Sequence, residues 1–305
     1  MDGLIAIDKH RGPTSHDIVA AVRKLLHIRK AGHCGTLDPD ASGVLLVALG
    51  RATRLSSFLT GHEKSYTGTI RLGFSTDTYD ASGRPTSDPC RTLPDRQDIE
   101  RAMRKVEGEI LQAPPPFSAK KVAGIRLYKL ARAGHRVDPK PSTVTVAVFR
   151  LLDDSPPLIR FETRCSAGTF VRSLAHDLGI RLGCGAHLTE LTRTVSGPFI
   201  LSECVSLDRL REATESGKAE SLLIPIEDLL PEFPAVSLHA EEAARVAHGA
   251  GIPLPGDAGV SESGPDVPLK LIGPDGLLIA LARRTADGGS LQPFLVLRPH
   301  SRTIS

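Results

Sequence analysis

The sequence predicts an α/β (α+β) fold followed by a small β-rich C-terminal domain. Strand-like runs and amphipathic helical stripes interleave over the first two thirds of the chain, which sets the class. A length of 305 residues with 40% hydrophobic content supplies a sizeable core and suits roughly two domains. Near residue 231 a Pro-rich break, PEFPAV, divides the chain, and strands dominate after it.

Leu4–Ile7 reads as a short strand and Gly12-Pro13 as a turn. Ser15 or Asp17 caps a helix whose apolar stripe is Ile18, Val19, Val22, Leu25 and Leu26, and Gly32 ends it. The turn-rich stretch GHCGTLDPDA (32–41) opens onto Val44–Ala48, whose unbroken apolar run predicts a buried strand. Gly50 separates that strand from a short helix through Leu59. Residues 65–73 alternate, with Tyr66, Gly68, Ile70 and Leu72 on one face and Thr67, Thr69 and Arg71 on the other, a half-buried strand carrying Tyr66. Asp95 caps a helix with Ile99, Met103, Val106 and Ile110 inward, and strands follow at Val144–Leu151 and Leu158–Cys165. Helix 169–182 puts Arg172 and His176 on one face at i and i+4, over a stripe of Val171, Leu174 and Leu178. Past the break, AEEAARVAHG reads as a helix, residues 251–268 as a Gly/Pro/Ser-rich loop, and Leu269–Ile272, Leu277–Ala282 and Phe294–Leu297 as strands. The domains are therefore expected at 1–230 and 231–305.

With 24% charged residues and a formal net charge of only +3, the totals exclude a disordered polyelectrolyte and a histone-like coat. The charge is unevenly placed. Residues 1–200 hold 29 Lys+Arg against 20 Asp+Glu, net +9, whereas residues 201–305 hold 9 against 15, net −6. That asymmetry leaves two readings of the first part, a nucleic-acid partner or a solvated basic surface. Residues 116–141 carry seven Lys+Arg against one Asp, net +6, interleaved with Phe117 and Tyr128 between prolines. Such density suits an insertion that grips phosphates, with Lys120, Lys121, Arg126, Lys129 and Arg132 as its candidate RNA-backbone contacts. Aromatics are 4%, with no Trp and three Tyr, which excludes a long row of stacking rings.

The five cysteines, at 34, 90, 165, 184 and 204, are odd in number and lack tight paired spacing, which argues against a disulfide framework. Cys184-x2-His187 has no second ligand pair nearby, so no metal is expected. The start MDGLIAIDKHRG carries Asp2 and too short an apolar stretch for a secretory signal, and no apolar run approaches a membrane span. A reduced, cytoplasmic protein is the expectation.

Asp38 precedes Pro39, a common turn arrangement that keeps it out of a helix interior. Its neighbours give it more than a turn to do. Gly32, Gly35 and Gly43 leave the backbone open to close approach, and Pro39 stiffens the chain, so a large substrate can reach a carboxylate able to act as nucleophile or base.

These residues resemble a known family. The run GHCGTLDPDASGVLLVALGRATR (32–54) resembles the catalytic motif of the TruB family, the bacterial tRNA pseudouridine-55 synthases. DKHRGPTSHDIVAAVRK resembles its amino-terminal motif, KSYTGTIRLGFSTDTYDASG its tyrosine strand and PPPFSAKKVAGIRLYKLARAG its RNA-gripping insertion. CSAGTFVRSLAHDLGIRLGCGAHLTELTRT resembles its arginine and leucine motif, so the likeness runs in order from residue 4 to about 230.

The resemblance implies a pseudouridine synthase fold, a mixed, mostly antiparallel sheet flanked by helices, and a PUA-like C-terminal domain. It makes Asp38 the nucleophile and Tyr66 the ring packed against the target uracil. It pairs Arg172 with Asp38, and the physics agrees, because burial tends to protonate a carboxylate and an opposed guanidinium counters that. Leu191 closes the apolar floor and Phe170, at a position often Tyr in the family, contacts the base. His33 fills the space in the RNA loop when the nucleotide flips out, a step costing a few kcal/mol that stacking must offset. The implied reaction isomerises the T-loop uridine at position 55 of tRNA without metal or other cofactor. The implied partner is the tRNA T-arm, with no membrane, no obligate protein partner and a monomeric enzyme. Lys9 is expected to be structural or near the site, Lys64 a surface cation and Cys34 a small turn residue, while His10 stands where the family usually has Pro. The net −6 of the C-terminal domain speaks against a strong phosphate-binding surface there. The alternatives are a guide-dependent dyskerin-like synthase, an RNA chaperone that opens the tRNA loop, and a zinc-binding RNA module.

Overall fold

In the computed structural model, which describes residues 1–297 apart from 119, 123, 128, 129, 131, 132, 134–138 and 255–265, and only the backbone of Lys121, Val122 and Arg126, the first part of the chain alternates strands with helices. The strands are β1 (Gly3–Lys9), β2 (Ala31–His33), β3 (Ala41–Leu49), β4 (Lys64–Leu72), β5 (Gly108–Gln112), β6 (Lys121–Val122), β7 (Ile125–Arg126), β8 (Ser142–Ser155), β9 (Leu158–Cys165), β10 (Ala186–Ser196) and β11 (Phe199–Ile200). The helices are α1 (Ser15–Leu25), α2 (Ser56–Gly61), α3 (Arg96–Arg104), α4 (Val171–Arg181) and α5 (Leu207–Glu215). The main sheet runs β1-β3-β10-β4-β9-β8-β5, with β2 beside β3 and β11 beside β10. Its pairings are antiparallel except where Leu191–Arg193 of β10 lie parallel to Ala41–Gly43 of β3. This is the mixed, mostly antiparallel sheet flanked by helices that the sequence predicts.

Strand β3 is apolar throughout because both of its faces are covered. Ala41, Leu45, Val47 and Leu49 enter one core with Ile18 and Val22 of α1, Ile99 and Met103 of α3 and Leu174 and Leu178 of α4. Val44, Leu46 and Ala48 enter a second core with Leu59 of α2 and with Leu278, Leu281 and Leu297 from the far end of the chain. Each leucine so buried contributes about 1.5–3 kcal/mol. The loop before β3 is thus mounted on the stiffest part of the molecule.

Local differences from the sequence reading have physical reasons. Thr14 caps α1, in a capping box with Asp17, while Ser15 turns inward and is buried. Such a box is worth about 0.5–2 kcal/mol. The helix stops at Leu25 and His27 takes a left-handed φ of 51°, so Gly32 lies in β2 and ends nothing. Strand β10 lies inside the sheet, between β3 and β4, although its polar sequence gave no apolar pattern.

Beyond residue 231 a second sheet has the order β12-β14-β15-β16-β13, from β12 (Ala235–Ser237), β13 (Ile252–Pro253), β14 (Leu269–Ile272), β15 (Leu278–Arg284) and β16 (Ser290–Val296). Helix α6 (Ala240–Ala247) packs Ala243 and Val246 into its core. Among the described residues no helix is long and apolar enough to cross a membrane.

Candidate active site

The loop that enters β3 is held from three sides before any side chain on it acts. Lys9, fully buried at the end of β1, donates to the carbonyls of His10 (3.2 Å), Asp38 (3.2 Å), Pro39 (3.1 Å) and Ala41 (2.6 Å). Ser15 Oγ both donates to the Leu37 carbonyl (2.9 Å) and accepts from its N–H (2.8 Å). From β10, Arg193 donates to the carbonyls of Val44 (2.7 Å), Gly35 (3.2 Å) and Thr36 (3.4 Å). Gly43 permits that approach: a Cβ there would sit 2.2 Å from the Arg193 carbonyl oxygen, and its φ is +101°.

Asp38 rides at the tip with 44% of its side chain exposed, facing an Arg172 that is only 8% exposed. Arg172 Nε meets Oδ2 at 2.9 Å and Nη2 meets Oδ1 at 3.2 Å, a two-pronged clamp. The same guanidinium reaches Asp80 Oδ2 (3.3 Å) and the carbonyls of Thr78 (3.1 Å) and Phe117 (3.1 Å). Asp80 is itself fixed, accepting from the Thr78 and Ser82 hydroxyls (both 2.6 Å) and the Ser82 N–H (3.0 Å). Arg172 stands in the first turn of α4, whose start is moored to the end of β5. Gln112 brackets the Phe170 main chain, accepting from its N–H (2.8 Å) and donating to its carbonyl (3.1 Å), and Ser173 Oγ donates to the Ala113 carbonyl (2.9 Å).

Asp38, Tyr66, Phe170, Arg172 and Leu191 line one cleft of about 420 Å³. A smaller cavity of about 190 Å³ shares Asp38, Arg172 and Leu191 with it, so the ion pair stands between the two. Tyr66 is buried, its phenol is pushed up by burial, and its hydroxyl is hydrogen-bonded to Arg193, its cross-strand partner. His33 is outside the cleft lining: it ends β2, half-buried, with Nδ1 unpaired among the described residues, and burial depresses its basicity.

Lys120 lines the cleft and donates to Ser142 Oγ at 3.2 Å. Lys121 and Arg126 face each other across the β6–β7 pair; their side chains, like all of Lys129 and Arg132, lie outside the described residues. Lys64 corrects an expectation. It is no surface cation but 6% exposed and on the cleft wall, because the chain turns back to offer it the Thr60 and His62 carbonyls. Cys34 is fully buried and its thiol is pushed up to about 11 by burial, in keeping with a packing role. Among the described residues no group of His, Cys, Asp or Glu is arranged to hold a metal ion.

Sequence reasoning did not single out Asp80, Gln112 or Arg193 and gave Ser15 only as a helix cap. Asp80 carried a signal in the turn-forming run TDTYDASG, and Arg193 in being a lone arginine between threonines; Gln112 carried none.

The family description "TruB family pseudouridylate synthase (N terminal domain)" matches residues 23–171, and "tRNA pseudouridylate synthase B C-terminal domain" matches residues 172–231. A tRNA pseudouridine synthase B of Geobacillus thermodenitrificans is 43% identical over 98% of this chain and 100% of its own length. One from Solibacter usitatus is 45% identical over 83% of this chain and 86% of its own. Among solved structures, a Cbf5-Nop10-Gar1 complex matches with a TM-score of 0.75 at 30% identity, covering 97% of this chain and 85% of that one. An H/ACA RNP bound to a substrate RNA containing 2'-deoxyuridine matches with a TM-score of 0.74 at 29% identity, with the same coverage. Likeness that runs the length of the chain at such identity settles the kinship, and the chain belongs to the TruB family of pseudouridylate synthases, which are isomerases.

Proposed function

We propose that this protein isomerises the uridine at position 55 in the T-loop of tRNA to pseudouridine, acting alone as a monomer on the T-arm. Relatives at 43% and 45% identity bear the name tRNA pseudouridine synthase B, which supports the substrate class. One observation carries the chemistry: an accessible carboxylate, Asp38, is aimed into a cleft by a nearly buried arginine that grips both of its oxygens.

In this reading the target nucleotide flips out of its loop and enters the cleft, because its reacting bond is out of reach within the folded RNA. Tyr66 packs on the uracil, Leu191 and Phe170 complete the apolar wall, and His33 takes the place the base has left. Asp38 supplies the nucleophile that accompanies breaking of the glycosidic bond. Arg172 holds it ionised and oriented, so less freedom is lost on reaching the transition state. The basic segment at 116–141 grips phosphates next to the cleft. Residues 1–230 carry this activity and 231–305 form a PUA-like unit packed against them.

Mapping of pseudouridine in tRNA transcripts before and after treatment tests the reading. Conversion confined to the T-loop uridine is expected, and no conversion there refutes it. A bare T-arm stem-loop should also be converted; dependence on added guide RNA and proteins would favour the dyskerin-like alternative.

A further inference from the structure

Two buried cations stand in the cleft wall outside the Asp38–Arg172 pair. Lys64, at the start of β4, and Arg193, on β10, are 6% and 1% exposed, both line the cleft, and neither forms an ion pair among the described residues. Carbonyls hold them: Thr60 and His62 accept from Lys64, and Gly35, Thr36 and Val44 accept from Arg193. Carbonyl dipoles solvate a cation without cancelling its charge, so a positive potential persists in a wall poor in water. The cleft lining holds Lys64, Lys120, Arg172 and Arg193 against one carboxylate, Asp38, while Asp80 meets Arg172 from the adjoining cavity.

This arrangement is costly to the fold. Burial and then the nearby Arg193 push the Lys64 amine down to about 8. The other titratable groups around it do not relieve it. The Cys34 and Cys165 thiols are both pushed up to about 11 and so are neutral, Tyr66 is a neutral phenol, and Glu63 bears on Cys165. Lys9 is different, with four carbonyl acceptors and no place in the cleft lining. Buried like charges that no carboxylate compensates point to an anion that arrives or forms in the cleft.

We propose that Lys64 and Arg193 stabilise the uracil anion that exists after the glycosidic bond breaks and before the base is rejoined to the sugar. The inference rests on the pseudouridine synthase reading. In that reaction an Asp38 oxygen bonds to C1′ as the C1′–N1 bond breaks with its electron pair left on the base. The base turns, an electron pair from C5 forms the C5–C1′ bond as the Asp38 oxygen leaves C1′ with its own pair, the C5 hydrogen leaves as a proton, and N1 takes a proton up. Between cleavage and rejoining the negative charge lies on the uracil. Cations fixed in advance by carbonyls act on that charge as it develops, with no reorganisation. Arg172 is committed to Asp38 and Asp80 and Lys120 is only partly buried, which leaves Lys64 and Arg193 as the buried cations for this task.

The test compares single-turnover rates on T-arm RNA bearing uridine or 5-fluorouridine at the target position, with rearranged nucleoside read by digestion and chromatography. Fluorine stabilises the uracil anion by itself, so the variant should need the lost cation less. Lys64→Met is expected to slow reaction of uridine about 100-fold and of 5-fluorouridine only about tenfold, with RNA binding changed by less than about twofold. In the wild-type enzyme the rate falls above about pH 8 as Lys64 loses its proton, and Lys64→Arg, which keeps the charge, moves that fall upward. Equal losses on the two substrates, or an alkaline limb that Lys64→Arg leaves in place, overturn the proposal. If Lys64→Met does not fold, the pH profiles of wild type and Lys64→Arg decide alone. Wild-type enzyme that forms no pseudouridine in the T-arm overturns the underlying reading instead.

Discussion

Replacing Arg172 by lysine keeps a positive charge opposite Asp38 and removes the planar fork. The guanidinium serves both oxygens of Asp38 (2.9 and 3.2 Å), Asp80 (3.3 Å) and the carbonyls of Thr78 and Phe117 (both 3.1 Å). One ammonium on a flexible stem cannot meet five acceptors spread around a plane. If its three donors keep one contact to Asp38 and the two carbonyls, two charge-assisted hydrogen bonds are lost, one to Asp38 and one to Asp80, at about 1.5–3 kcal/mol each. Asp38 is 44% exposed, so water takes over part of the role, and halving the sum leaves about 1.5–3 kcal/mol. That corresponds to a fall of roughly 10- to 150-fold in kcat. Release of tritium from RNA carrying 5-tritiated uridine under single-turnover conditions measures it, with RNA binding followed by filter retention. Activity within about threefold of wild type, or a loss confined to RNA binding, refutes the claim that the fork aims the carboxylate.

Four further outcomes rest on the same geometry. Gly43→Ala brings a Cβ to 2.2 Å from the Arg193 carbonyl oxygen at a φ of +101°, and should cost roughly 3 kcal/mol or more in urea unfolding. Gly12→Ala, at φ +110° with open space around it, should cost about 1–2 kcal/mol in the same assay. Ser15→Ala removes both bonds to the Leu37 main chain and should lower stability by about 1–3 kcal/mol and kcat more than RNA affinity. Cys34, buried and with its thiol near 11, stays protonated and should resist iodoacetamide at pH 7.5 while half-exposed Cys90 is labelled, as mass spectrometry of the two peptides would show.

Strand β3 was legible because two covered faces demand an apolar residue at nearly every position, and Tyr66 because a half-covered strand alternates. The loop before β3 was legible through its glycines and Asp38-Pro39. Strand β10 was not, since the side chains it buries include His187 and Arg193, polar groups kept inside by the Phe74 and Val44 carbonyls. Lys64 shows the same limit. A lysine reads as a surface cation until the fold turns the chain back to offer its ammonium carbonyls, here those of Thr60 and His62. The helix start was misplaced by one residue for a related reason, because Ser15 is drawn away from capping by Leu37, 22 positions on.

The central claim is that the Asp38 carboxylate supplies the nucleophile and that Arg172 aims it. Asp38→Asn changes one atom and leaves acceptor capacity for one arm of Arg172. Pseudouridine formation on tRNA by this variant, measured alongside its tRNA affinity, tests that claim most directly. The account predicts no detectable product with affinity within about threefold of wild type. Measurable turnover by Asp38→Asn would contradict it.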